Sequence, residues 1–331
     1  MFFMKNILGF CFLFFTSVVI SQPTADLYKT AKTLMNEVDY DNATLVFNQV
    51  LINEPNNIAA QKDFTFLCYL KRDFAKSIEL SKKFTASNTA DEKDFQLLGM
   101  NYKAIALYRD CEKLYTTALS KFPNSGVLYS ELADLNIIEK KTNEAIKNWE
   151  KGIEVDPNYS SNYYNAALYY SQNKQLFWTI IYGEIFVNIE SYTTRTAEIK
   201  DAILDAYKKI IYLGDAGKGT KNEFEKTVLQ ILGNSSESLT VASLTAIRTK
   251  FILNWFHNNN QEKFAFRLFD QQRYLVREGM FDAYNQWLFG VAINTVQYKN
   301  WVDAHSTETT NFKQFQEGRI FKLIVGQYYK N

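Results

Sequence analysis

The sharpest chemical signal in the sequence is a carboxylate set in an apolar stretch. Glu184 stands in FWTIIYGEIFVNI, which holds no other charged residue. Burial penalises the ionised form, so such a group is either a partnered ion or an acid of raised pKa. Pairing with an Arg or Lys from elsewhere in the fold is the expectation. A hydrolytic site would need a second carboxylate nearby, and sequence spacing places none. The two histidines form no ligand or triad pattern. His257 follows LNWF at a helix end, where a cation complements the dipole, and His305 precedes the polar STETT run. The stretch GDAGKGT at 214–220 has the composition of a phosphate loop without its spacing: Gly214 and Gly217 are too close, and Gly219 separates Lys218 from Thr220. It reads as an interhelical turn. Arg267, Arg273 and Arg277 are spaced to pair with Asp270 and Glu278 rather than to gather an anion. Cys68 and Cys111 read as small buried residues, with a disulfide as the alternative in an oxidising compartment. The sequence therefore predicts no catalytic residue, no metal site and no cofactor.

The elements that would position any site follow from a repeat. DYDNATLVFNQVLINEPNN, CEKLYTTALSKFPNSG and TNEAIKNWEKGIEVDPNYS carry the same anchors: Ala43/Phe47/Val50/Pro55, Cys111/Tyr115/Ala118/Pro123 and Ala145/Trp149/Gly152/Pro157. Pro123 and Pro157 are 34 residues apart, and Pro55 lies two such periods before Pro123. A fixed period means stacked supersecondary units. Ahead of these anchors, Phe95, Leu98, Gly99 and Tyr102 match an aromatic–x2–Leu–Gly–x2–Tyr stretch. Tyr129/Leu132/Ala133 and Tyr163/Ala166/Ala167/Tyr170 echo it. On these residues the chain resembles the tetratricopeptide (TPR) family, whose unit is a helix–turn–helix. The resemblance covers about half the chain. It implies four units over about 24–159, and a worn fifth to about 191 with Thr179 and Gly183 at the small and aromatic positions. The small residues Gly99, Ala133 and Ala167 would let the two helices of a unit approach. Phe47, Tyr115 and Trp149 would fill the space between units, and the prolines would end the second helices. Thr89 with Glu92 fits a capping box opening the third unit.

The family's known mode of holding a terminal carboxylate maps onto Tyr28, Lys32, Asp63, Lys93 and Leu97. The required Asn is absent, and Asp63 would repel a carboxylate, so that activity is disfavoured. The resemblance instead implies a concave groove offering Tyr28, Met35, Phe66, Tyr69, Met100, Asp134 and Tyr164 to a protein or peptide segment.

Outside the repeats, residues 1–21 read as a secretory signal peptide: Lys5, then an apolar run from Ile7 to Ile20, then Ser21 before Gln22. Its removal takes one base and no acid, leaving 36 Lys+Arg against 36 Asp+Glu. No global basic field exists to hold nucleic acid or an anionic membrane. No later stretch is long and apolar enough to span a bilayer. After 191 the period is lost, but helical patterning continues. Thr194 would cap a helix ending near Gly214, with further helices at about 221–233, 240–257, 262–277, 280–298 and 308–328. The expected organisation is all-α: signal peptide 1–21, TPR-type helical solenoid 22–191 and a helical C-terminal region 192–331. The expected function is a secreted or periplasmic, non-enzymatic scaffold for protein–protein interaction. The alternatives are an envelope-polymer hydrolase or a carbohydrate-binding module using the aromatic C-terminal half.

Overall fold

The computed structural model describes residues 23–214 and 220–330, so the signal-peptide reading and most of the 214–220 turn lie outside the described residues. The described residues are helical, with no strand among them. The chain divides into two compact units, residues up to Lys83 and residues from Phe84 onward.

The first unit holds α1 (Thr24–Asn36), α2 (Tyr40–Asn53), α3 (Ile58–Leu70) and most of α4 (Phe74–Thr85). Asp39 and Asn57 cap α2 and α3 by accepting from the backbone N–H of Asn42 and Ala60, which satisfies otherwise orphaned donors. Ala31, Ala43, Phe47 and Leu67 are fully buried. Met35 is buried in this core too, with Ala31, Phe47 and Leu67, so it does not line an open groove.

The second unit opens with α5 (Glu92–Ala104), α6 (Tyr108–Lys121), α7 (Gly126–Ile138), α8 (Thr142–Val155), α9 (Ser160–Gln172) and α10 (Leu176–Ile189). The first helices of successive pairs start at Thr24, Ile58, Glu92, Gly126 and Ser160, a constant step of 34. The fifth pair keeps full phase, and the step is taken once more by α11 (Thr194–Tyr207). There the pattern ends: a π-helical turn over Lys208–Tyr212 replaces the next second helix.

Two details explain how the phase survives a changing sequence. The turn between the two helices of a pair holds a residue of positive φ at Val38, Arg72, Ala106, Lys140 and Lys174, again 34 apart and none a glycine. Each pays about 1–2 kcal/mol for that conformation, which only the packing of the flanking helices sustains. The second detail is an exchange of volume. Where the aromatic anchor is present (Phe47, Tyr115, Trp149), the residue three later is small or medium: Val50, Ala118, Gly152. In α10 the order reverses, Gly183 with Phe186, and Phe186 is fully buried. A Cβ on Gly183 would sit 2.7 Å from Ile203 Cγ1, so the glycine lets α11 lie close against α10.

The remaining elements are α12 (Glu223–Leu232), α13 (Val241–His257), α14 (Asn260–Lys263), α15 (Arg267–Arg277) and α16 (Phe281–Asn285). A second π turn (Gln286–Gly290), α17 (Val291–Ile293), α18 (Thr295–Ala304) and α19 (Ser306–Glu317) follow. Several boundaries differ from the sequence reading. The capping box of α5 is Asp91 with Asp94, and that of α11 is Thr193 with Thr196. The helix expected over 280–298 breaks at Asn294, which is extended and caps α18. The helix expected over 308–328 stops at Glu317. Residues 319–330 instead run as a non-helical strap, with Phe321 and Leu323 buried and Ile320, Lys322 and Ile324 exposed. This strap is tied back to the repeats. Asn158 donates to Leu323 O (3.3 Å) and accepts from Leu323 N (2.9 Å), and Lys330 lies over the Trp178 ring at 5.0 Å. One apolar core runs from Ala133 to Leu323, with no break in packing at 191/192. Every residue of α10 from Leu176 to Asn188 is buried within it.

Candidate functional site

Glu184 is an ion pair rather than a reactive acid. Its Oε2 accepts from Arg248 (2.5 Å), Gln272 (2.7 Å) and the Tyr284 hydroxyl (3.1 Å), and its Oε1 from the Tyr207 hydroxyl (2.7 Å). Arg248 also donates to Asn285 and is ringed by Tyr207, Phe281, Tyr284 and Phe289. The network extends through Asn188 and Gln271 to Arg319 at the root of the strap. Both ions are about 99% buried, and their hydrogen-bonding capacity is used internally. The cavity beside them is only about 20 Å³, too small for a substrate. This site fixes α10, α13, α15 and α16 to one another.

The other predicted chemical groups are dispersed. His257 ends α13 and His305 separates α18 from α19, stacked on Trp301 with ring centroids 4.4 Å apart. Arg273 lies over Phe256, and Arg277 pairs with Glu278. Cys68 and Cys111 are free and buried, and burial pushes each thiol up to about 11. Among the described residues, no group of three or more His, Cys, Asp and Glu could hold a metal ion. None of their helices is long and apolar enough to cross a membrane.

The repeat anchors fill their helix pairs. Ala43, Phe47, Tyr115 and Ala145 are fully buried, with Gly99 and Trp149 also buried and Tyr102 half-buried. A Cβ on Gly99 would meet the Tyr115 ring at 2.2 Å, so this position admits only glycine. Pro55 and Pro123 lie in exposed turns just past the second helices, whereas Pro157 is buried.

The proposed groove residues fall in both units. In the first, Tyr28 and Lys32 both engage Asp63, at 2.6 and 3.0 Å. Burial, with Asp63 beside it, pushes the Tyr28 hydroxyl up to about 12. Phe66 and Tyr69 stack on each other at 6.1 Å and stay half-buried. The acid that sequence mapping marked as repulsive is thus neutralised by its own neighbours.

In the second unit, Met100, Asp134 and Leu168 occupy the same position in α5, α7 and α9, 34 residues apart, and all three are half-buried. Around Asp134 the charges are already allocated. Lys103 pairs with Glu131 at 2.5 Å, and Glu131 also accepts from Gln96 (2.9 Å) and the Tyr115 hydroxyl (3.0 Å). Tyr164 donates to Glu198 (2.6 Å), and Arg195 lies over its ring while pairing with Glu190. Asp134 itself receives one long contact, Asn165 Nδ2 at 3.5 Å. The indole N–H of the buried Trp149 lies beside it and favours its ionised form. Burial raises the Asp134 carboxyl to about 6, with Lys103 lowering it and Glu131 raising it further. Leu168, Lys103 and Glu131 were not singled out in the sequence. The 34-residue step from Met100 and Asp134 would have found Leu168.

The constant step, the 13- to 14-residue helix pairs and the small residues at Gly99, Ala133 and Ala167 settle the architecture. The fold is that of a TPR-type helical repeat protein. Neither a family model nor a curated protein matches the sequence. Similar solved structures include residues 41 to the end of MamA from Desulfovibrio magneticus (21% identity, 40% of this chain and 75% of that one, TM-score 0.36). A second is the thermophilic TPR protein TTC0263 from Thermus thermophilus (13%, 55% and 100%, TM-score 0.45). A third is a tetratricopeptide repeat protein from Parabacteroides merdae (14%, 86% and 98%, TM-score 0.30).

Proposed function

We propose that this TPR-type protein is a non-enzymatic scaffold that holds a segment of a protein partner along the first helices of its repeats. The observation that carries the reading is the contrast between anchors and their neighbours in the second unit. Gly99, Tyr115 and Trp149 are committed to the core, while Met100, Asp134 and Leu168 stay half-buried in phase on successive first helices, with Tyr164 one turn before Leu168 on α9. Mixed apolar and polar side chains repeated in phase suit an extended ligand better than a small substrate. The neighbouring carboxylates Glu131 and Asp134 do not favour acid–base chemistry, because Lys103, Gln96 and Tyr115 already occupy Glu131.

A photo-crosslinking residue placed at Met100 or Leu168 in cells should capture a discrete protein. The same residue at the exposed Leu253 of α13 should not. Crosslinks from α13 alone would move the partner site to the C-terminal region and overturn this assignment. The reading also takes residues 1–21 as an export signal. Mass spectrometry of the cell-derived protein should then find Gln22 as its first residue, and an intact Met1 would contradict export by cleavage.

A further inference from the structure

Resting on that reading of the repeat face, we infer that the segment it holds presents a lysine or arginine flanked by apolar residues three positions to either side. The row Met100–Asp134–Leu168 places one carboxylate between two apolar side chains at equivalent positions of α5, α7 and α9. Nearby cations do not answer Asp134. Lys103 is held by Glu131 at 2.5 Å, and Arg195 by Glu190 at 2.5 Å. The groups adjoining Asp134 are neutral: Asn165 reaches it at 3.5 Å, and the Trp149 indole N–H lies beside it. A half-buried carboxylate in that state gains most from a ligand that brings a cation into a partly desolvated site.

The spacing follows from helix geometry. Packed helices lie about 8–10 Å apart. A ligand chain in polyproline II geometry advances about 3.1 Å per residue with three residues per turn, so every third side chain returns to the same face and meets the next helix. Apolar–x–x–Lys/Arg–x–x–apolar is therefore the pattern that puts its outer side chains against Met100 and Leu168 and its cation on Asp134. The other titratable groups facing this point are Lys103 and Glu131, which neutralise each other, and the Tyr159 hydroxyl, which burial pushes up. The patch thus carries one net negative charge once Asp134 ionises, and no charge when it is protonated.

The test uses the full chain and three fluorescent peptides with the core Leu-Ser-Ser-X-Ser-Ser-Leu, where X is Lys, norleucine or Glu, read by anisotropy. At pH 7.5 the Lys peptide should bind about tenfold more tightly than the norleucine peptide, with the Glu peptide weakest. Lowering the pH through about 6 should erase the Lys preference. Asp134→Asn should remove that preference at every pH, and Asp134→Lys should invert it toward Glu, with thermal unfolding showing that both variants fold. Equal binding of Lys and norleucine peptides would overturn the charge assignment and leave the groove reading standing. Failure of all three peptides to bind would overturn both.

Discussion

Within residues 84–331 two regions solve burial in opposite ways. The repeats α5–α9 rely on small residues meeting large ones. Gly99 receives the Tyr115 ring, and Gly152 lies against Asn162. The seam between α10 and the region beyond α11 places a fully buried ion pair, Glu184 with Arg248, among aromatic rings. The first solution tolerates exchange of volumes between neighbouring positions, as Gly183 and Phe186 show. The second tolerates no single change, because either ion alone would be stranded. A repeat can therefore drift in sequence while keeping its phase, whereas the C-terminal core is tied to specific partners.

The largest effect that would sharpen this contrast is Arg248→Met. It leaves Glu184 buried without its cation and should destabilise by about 3–5 kcal/mol in urea unfolding. Adding Glu184→Leu should recover most of that loss. A double variant as unstable as the single one would mean the pair acts through packing instead.

Gly183→Ala comes next. Its Cβ would meet Ile203 at 2.7 Å, and overpacking of this kind should cost about 1–3 kcal/mol. A neutral result would show that α11 can retreat from α10, and that the end of the repeats is softer than its packing implies.

The acid at the repeat face gives a smaller effect with a definite sign. The Asp134 carboxyl is raised from its ordinary 3.8 to about 6 in the folded chain, so the folded state binds that proton more tightly than the unfolded chain. Its contribution is fully present below pH 4 and is lost as pH rises through 6. Asp134→Asn should be more stable than the native chain at pH 7.5, on the order of 1 kcal/mol after allowance for partial exposure, and indistinguishable at pH 3.5. Equal stability at both pH values would show that the carboxylate is well solvated.

The smallest change should stabilise. Lys140 adopts φ 62° in the turn between α7 and α8, and Lys140→Gly removes that strain at some entropic expense in the unfolded chain. The expected gain is about 0.5–1 kcal/mol, read as a rise in melting temperature. Destabilisation would mean the lysine side chain contributes more than the backbone loses.

These contrasts also mark what could be read from the residues. The repeat phase is legible because Gly99, Tyr115, Trp149 and the prolines stand at fixed offsets within one 34-residue period. The left-handed turn was not, because Val38, Arg72, Ala106, Lys140 and Lys174 share no chemistry, and tertiary packing imposes the conformation. The fifth repeat looked worn because the pattern expects an aromatic where Gly183 stands, and the aromatic had moved three positions to Phe186. The pairing of Glu184 was legible from its apolar surroundings, but its partner lies 64 residues away, at a separation no local pattern reports. The strap was mistaken for helix because its apolar residues are dense. The alternation of buried Phe321 and Leu323 with exposed Lys322 is the extended-chain signature that outweighed helical spacing. For the candidate site, Met100, Asp134 and Tyr164 could be placed on one face. The state of Asp134 could not, since it depends on Lys103 being already taken by Glu131.

The strap that ends the chain also sets a schedule. α10 is apolar around its whole circumference, and part of its cover comes from residues at the far C-terminus, such as Lys330 over Trp178. A ribosome adding about 5–20 residues per second therefore releases α10 roughly 7–30 seconds before Lys330 is made. Through that interval α9 and α11 can already flank α10, and the face around Trp178 stays open.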